Sequence, residues 1–399
     1  MNEIAIYGAT DRFNYGDLLF PLVVEWAAKQ YRPGSDIYNL AIAESDFSNQ
    51  GGLPTISIKD AFSNGLVQRC DRFVIAGGQV LDARWTAILG YLLGPRTDLT
   101  VRAIRKLLGE RTTDTLARRI AGLSWPQPFV VPEGGLPEGV GVVYNAVGGA
   151  EIDSLRPGYL EALRRGLEKA AYISVRDCAT RDALAKFGIH ADLMPDSAVV
   201  MSRIFPLPTL LTRVRDELRN YLAENSGQYL VFQIGTKFVK GREQIIAKTV
   251  SDIASKQGLK IMLLAIGTAT AHEDHIALEK VRRHLPAACN VYPMFNGSVW
   301  EIMAAIASAA IYIGTSLHGA ITAMSFGIPR LAYTGEVRKL QEYLNTWDLN
   351  EFSAALPVDG NNDLIAKVLS VGGAECVSLS GKVINQADCG LRNLFEMRK

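Results

Sequence analysis

Residues 311–329 read IYIGTSLHGAITAMSFGIP, and few folds accept such a stretch. Ile311, Tyr312 and Ile313 form the apolar, β-branched run of a strand buried on both faces. Gly314 breaks the run, and Thr315 and Ser316 are residues that cap a helix start. Residues 320–326 are helical in character and stop at Gly327-Ile328-Pro329. A strand that turns at once into a helix belongs to an open α/β sheet, and ligands bind along that edge. His318 sits at the turn. Helix N-terminal amides favour an anion there, and an imidazole can pass a proton near neutral pH. A structural histidine fits the same spacing, so the rest of the chain has to decide.

The alternation runs the length of the chain. Strands are expected at 3–7, 55–58, 72–76, 129–131, 141–146 and 172–175, with helices at 18–31, 160–171 and 179–187. A long helical region is expected at 84–123. Pro206 and Pro208 mark a boundary, and a helix at 210–224 follows. A second series then has strands at 229–234, 260–266, 290–293 and 331–333 and helices at 245–256, 276–283, 299–309 and 383–397. Such alternation specifies parallel sheets with helices on both faces. The expected fold class is α/β, two Rossmann-like doubly wound domains facing a cleft. Residues 1–205 form the first, 206–375 the second, which carries Leu317-His318-Gly319, and 376–399 a C-terminal helix.

At 399 residues the chain fits two to three domains of about 150 residues each. Lys and Arg number 42 against 41 Asp and Glu, and a net charge of +1 gives no reason to expect a nucleic-acid partner. The five cysteines are scattered, form no C-x-x-C pair and are odd in number, which speaks against a disulfide framework. The opening MNEIAIYGATDRFNYGD lacks the features of a signal peptide. No run approaches the ~18 apolar residues of a membrane span. The expectation is a cytoplasmic protein. Residues 84–123 add a qualification, because an apolar WTAILGYLLG is followed by Arg102, Arg105, Lys106, Arg111, Arg118 and Arg119. Such a stretch can lie on an anionic membrane surface, and a solvated helix face has the same pattern.

Residues 8–17, GATDRFNYGD, form a loop between strand and helix, but match neither G-x-G-x-x-G nor a P-loop. His272-Glu273-Asp274-His275 offers two histidines without an evident third ligand, so no metal is expected. There is no G-x-S-x-G elbow. What remains is a set of polar residues at expected strand ends: Asn14, Asp17, Arg176, Asp196, His318 and Arg338. Two arginines and a histidine near helix starts suit an anionic substrate, since a guanidinium matches phosphate or carboxylate as a fork.

These residues resemble the polysaccharide pyruvyl transferase family from the N-terminal loop to about Tyr343. Asn14-Tyr15-Gly16-Asp17 is similar to the family's N-x-G-D loop, and VIAGGQVL, with Gly77 and Gly78, to its glycine-ended strand. Ser174-Val175-Arg176-Asp177 is similar to its S-V-R-D stretch, and Pro195-Asp196 to a later Asp motif. Leu317-His318-Gly319, followed by Ala323, Gly327 and Pro329, resembles its R-L-H-G signature. The resemblance implies a fold like that of two-domain glycosyltransferases. It implies phosphoenolpyruvate as donor and a pair of sugar hydroxyls as acceptor, on a surface glycan or its lipid-linked precursor, with no metal or organic cofactor. His318 would be the general acid or base, and Arg176 and Arg338 would hold the donor. Asn14, Tyr15, Asp17, Gly77, Gly78, Asp196, Thr315, Ser316, Leu317 and Gly319 would surround the substrates. The chain departs from the family where Ser316 replaces the Arg before L-H-G, and where Arg338 replaces a Lys twenty residues after the His. A nucleotide-sugar glycosyltransferase of the same architecture, or an inactive relative, stays open as an alternative.

Overall fold

The computed structural model describes residues 2–92, 106–107, 109–269 and 273–396. Two parallel sheets organise them. The first contains β1 (Glu3–Tyr7), β2 (Asp36–Ala41), β3 (Ile56–Ser57), β4 (Arg72–Ile75), β5 (Gly141–Val147), β6 (Tyr172–Val175) and β7 (Asp192–Leu193), in the order β3-β2-β1-β4-β5-β6-β7. The second contains β8 (Tyr229–Gln233), β9 (Lys260–Leu264), β10 (Val291–Met294), β11 (Ile311–Gly314), β12 (Arg330–Tyr333) and β13 (Ala355–Leu356), in the order β10-β9-β8-β11-β12-β13. The strand order reverses between β1 and β4 in one sheet and between β8 and β11 in the other. Those two reversals are where doubly wound sheets open a crevice.

Successive side chains on a strand face opposite ways. Ala5 and Tyr7 therefore enter one core with Phe73 and Ile75, while Ile4 and Ile6 enter another with Val74. In the second sheet Leu230, Phe232, Ile311 and Ile313 pack outward, and Val231 and Tyr312 pack inward. The inward faces of both sheets belong to one continuous core with the helices Tyr15–Tyr31, Val299–Ala307 and Leu317–Ser325. The Gly373–Glu396 helix joins the same core. It packs on β5, on the Tyr15–Tyr31 helix and on the turn Ser197–Val200. Ser380 Oγ donates to the Ser325 carbonyl at 2.8 Å, and Asp388 pairs with Arg203 at 3.0 Å. The last helix thus ties the two halves together. Among the described residues no single helix is long and apolar enough to cross a membrane.

The structure corrects several expected elements. Residues 129–131 are not a strand: Phe129, Val130 and Val131 are buried as irregular chain, and the Val131 amide donates to the Tyr144 hydroxyl at 3.1 Å. The strand β2 was not expected, because DIYNLA mixes polar residues among apolar ones without a clear alternation. The helix expected at 210–224 is two, Leu207–Leu211 and Asp216–Asn225, with the Arg219 guanidinium bonded to the Leu211 and Val214 carbonyls between them. Helices Arg338–Trp347 and Asn362–Ser370 were also unforeseen. Of residues 84–123, the helices Trp85–Leu92 and Glu110–Ala121 are described. Arg102 and Arg105 lie outside the described residues, as does His272.

Candidate active site

The two reversals face one cleft of about 510 Å³. Its floor is the stretch from β11 into the Leu317–Ser325 helix. Ser316 caps that helix, its hydroxyl accepting from the Gly319 amide at 3.3 Å. Gln233, at the end of β8, accepts from the amides of Thr315 at 2.9 Å and Ser316 at 2.8 Å. Gln233 is itself oriented by Asp274, whose Oδ2 accepts from Gln233 Nε2 at 2.9 Å and from the amides of Ile266 and Gly267 at 3.1 and 3.0 Å. Burial pushes the Asp274 carboxyl up to about 6. The amides of Leu317 and His318 open the helix, where the backbone dipoles favour an anion.

His318 lines the cleft with a side chain 13% exposed. Two neighbours from the first half hold its ring. Phe20 meets it edge-on, with ring centroids 5.3 Å apart. Gly16 lies against it so closely that a Cβ there would fall 1.8 Å from Nδ1. Gly16, in the first turn of the Tyr15–Tyr31 helix, is therefore the seat of the imidazole. Gly77 serves Phe20 in the same way: its φ is +138°, and a Cβ would lie 2.5 Å from that ring.

Behind the imidazole lies a buried ion pair. His318 Nε2 is 3.7 Å from Asp196 Oδ2, and Arg176 Nη1 donates to the same oxygen at 3.0 Å. Burial works to raise the Asp196 carboxyl, but His318 and Arg176 outweigh it and hold the carboxyl below its ordinary value. Arg176 and Asp196 are both fully buried.

The residues expected from the sequence therefore divide. Asn14, Thr315, Ser316, Leu317, His318 and Arg338 line the cleft. Tyr15, Arg176, Asp196 and Gly319 are packed beneath it, with Tyr15 bonded to Thr322 at 2.7 Å. Gly77 and Gly78 are also buried, and Asp17 accepts from Asn14 Nδ2 at 2.9 Å. Arg338 stands at the rim, 59% exposed, 3.8 Å from Glu342 one turn along its helix.

One cleft residue that the sequence did not single out is Lys339, the neighbour of Arg338. Burial, and then the Arg176 guanidinium, hold its ammonium below the ordinary lysine value. Asp17, Asp82 and Glu151 pull in the other direction. Its helix is tied to the first half by Trp347, whose Nε1 donates to the Arg176 carbonyl at 2.7 Å. Recognising the amphipathic helix Arg338–Trp347, with Leu340, Tyr343 and Leu344 buried, would have shown that 338 and 339 point differently. Gln79, Asp82, Glu151, Gln233 and Asp274 also line the cleft. Gln79 lies in the VIAGGQVL stretch and Asp274 in His272-Glu273-Asp274-His275, but neither was singled out as a cleft residue, and no motif marks the other three. Among the described residues no cluster of His, Cys, Asp and Glu is arranged to hold a metal ion.

A sequence profile of the polysaccharide pyruvyl transferases matches residues 14–335. The chain belongs to the polysaccharide pyruvyl transferase family. It is thus an enzyme of the pyruvyl transferase kind. No individually curated protein matches it in sequence. Among solved structures, the UDP-GlcNAc 2-epimerase of Methanocaldococcus jannaschii superposes with a TM-score of 0.57 at 11% identity, over 93% of this chain and 92% of that one. The UDP-GlcNAc 2-epimerase of Neisseria meningitidis, bound to UDP-GlcNAc, gives 0.55 at 11% over 99% and 98%. A ugt transferase of Siraitia grosvenorii in complex with UDP gives 0.53 at 10% over 99% of each chain. At these identities the likeness is one of fold. This pyruvyl transferase chain has the two-domain architecture of glycosyltransferase-B enzymes, as its sequence implied.

Proposed function

We propose that the protein transfers the enolpyruvyl group of phosphoenolpyruvate onto two hydroxyls of one sugar, forming a cyclic ketal. The sugar belongs to a surface polysaccharide or its lipid-linked precursor, and the reaction takes place in the cytoplasm. The observation that carries this reading is the convergence, in one cleft, of the His318 helix start with the cations of the Arg338–Trp347 helix.

The donor carries a phosphate and a carboxylate. The amides at residues 317 and 318, Lys339 and the Ser316 hydroxyl would hold these anionic groups. Arg338 adds long-range charge from the rim. Lys339 supplies, one position later, the lysine that Arg338 replaces in the family pattern. His318 would give a proton to the enol methylene, leaving positive charge at C2. Each sugar hydroxyl in turn forms a bond to C2, and phosphate leaves. Arg176 and Asp196 act behind His318, where Arg176 holds the carboxylate that faces the imidazole Nε2. No step calls for a metal or an organic cofactor. The second half, 206–375, is then the donor side and the first half, 1–205, the acceptor side.

Thermal melting with phosphoenolpyruvate and with UDP-sugars in parallel tests the donor. Phosphoenolpyruvate alone is expected to raise the melting temperature. Stabilisation by a UDP-sugar alone would overturn the reading in favour of a glycosyltransferase.

A further inference from the structure

The chain of hydrogen bonds behind His318 continues past Arg176. Arg176 Nη2 donates to Gln79 Oε1 at 3.0 Å, and Gln79 Nε2 donates to Asp82 Oδ2 at 2.6 Å. The Glu151 amide donates to the same oxygen at 2.8 Å. One neutral amide thus connects a sealed ion pair to a carboxylate on the cleft wall.

Asp82 stands where two cavities meet. A side groove of about 290 Å³ joins the main cleft at Gln79, Asp82 and Glu151. The groove runs away past Arg12 and Arg84 and over the apolar side chains of Ala87, Ile88 and Leu155. The cations of the cleft all come from the second half. The charged residues that the first half brings to the cleft are the carboxylates Asp82 and Glu151, whereas the second half brings Lys237, Arg338 and Lys339 together with Asp274, which is bonded to Gln233, and Glu336, which pairs with Arg242. Carboxylates repel an anionic donor and accept hydrogen bonds from hydroxyls. An apolar strip beside polar groups suits a sugar ring, which has C–H faces and hydroxyl edges.

We propose that Asp82 is the acceptor-side base of the ketal transfer, and that the side groove holds the part of the acceptor beyond the pyruvylated sugar. The proposal rests on phosphoenolpyruvate being the donor. Asp82 takes the proton of the first hydroxyl as that oxygen bonds to C2. The π pair of the enol forms the new C3–H bond with the proton from His318. The C2–O pair leaves with phosphate. The second hydroxyl then bonds to C2, and its proton goes to the phosphate. Asp82 afterwards loses its proton to solvent, and His318 regains one. Burial raises the Asp82 carboxyl above its ordinary value, the direction a base working near neutrality needs.

The test uses the intact protein and, as probes, the p-nitrophenyl α- and β-glycosides of glucose, galactose, mannose and N-acetylglucosamine beside the free sugars. Phosphoenolpyruvate affinity is measured first, alone. A wild-type protein that does not bind it sinks the donor reading, a failure distinct from the one tested next. With phosphoenolpyruvate bound, at least one aryl glycoside is expected to bind tenfold or more tighter than its free sugar. Ala87→Trp, at an exposed position in the groove, is expected to erase that preference. Asp82→Asn is expected to slow phosphate release with that glycoside tenfold or more while phosphoenolpyruvate affinity stays within twofold. No aryl glycoside bound, a preference that survives Ala87→Trp, or a smaller loss in Asp82→Asn each overturns the proposal. Should Asp82→Asn fail to fold, Asp82→Ser is measured in its place against the same tenfold threshold, and Ala87→Trp, which alters no hydrogen bond, still decides the groove.

Discussion

The two sheets meet the cleft in opposite ways. The first sheet brings close packing and charge already neutralised: Gly16 and Gly77 let backbone press against rings, and Arg176 is sealed against Asp196. The second sheet brings a helix start and cations that reach the cleft, Lys339 and Arg338, over a polar layer of Gln233 and Asp274. An arginine paired in a dry interior has its charge compensated, and removing either partner is costly. A lysine at a cleft wall keeps charge to offer. Around His318 the same topology therefore yields a half that positions the imidazole and a half that offers charge to the donor.

The sharpest break in that comparison is His318→Ala, which removes the one group that both halves serve. Turnover is expected to fall about 10²–10⁴-fold, the usual worth of a general acid or base, with the melting temperature little changed. Retention of more than about a tenth of the wild-type rate would contradict its role. Arg176→Ala should act differently, through the fold. Leaving Asp196 buried without its partner is expected to cost about 3–5 kcal/mol of stability, read from denaturant unfolding. If Arg176→Ala unfolds like wild type and instead weakens phosphoenolpyruvate binding, the assignment of Arg176 to the positioning half fails.

How far the sequence displayed this division depends on the residue. The stretch 311–329 announced its strand, cap and helix because each signal is local, and β1 and β6 were legible for the same reason. The pattern N-x-G-D showed that Gly16 matters, but its reason is a ring about 300 residues away in the chain, which only the fold brings near. Arg176 and Asp196 read as substrate-facing because both stand at strand ends. Strand ends have depth as well as position, and spacing does not record depth. Arg338 was chosen over Lys339 for want of the Arg338–Trp347 helix, whose register separates the two. Gln79 and Gln233 carry no charge, and the VIAGGQVL stretch drew attention to its glycines rather than to Gln79, so their place in the hydrogen-bonded chains emerged only from the geometry.

A smaller effect concerns the first half alone. The Glu110–Ala121 helix exposes Leu116 and Ile120 beside Arg119. If the acceptor is lipid-linked, this face should rest on anionic lipid, where each nearby cation adds about 1 kcal/mol. The protein is expected to float with phosphatidylserine vesicles at physiological salt, and Leu116→Ser with Ile120→Ser to halve the bound fraction. Absence of flotation by the wild type would assign this face to solvent.

The central claim is that the second half holds the donor, and calorimetric titration with phosphoenolpyruvate addresses it without knowledge of the acceptor. Lys339→Ala is expected to weaken binding at least tenfold, about 1.4 kcal/mol, and Arg338→Ala less than threefold. A cation held below the ordinary lysine value loses its charge at a lower pH than a free lysine would. Wild-type affinity should therefore decline early as the pH rises, and Lys339→Arg should move that decline to higher pH. Unchanged affinity in Lys339→Ala, or a larger loss in Arg338→Ala, would contradict the account.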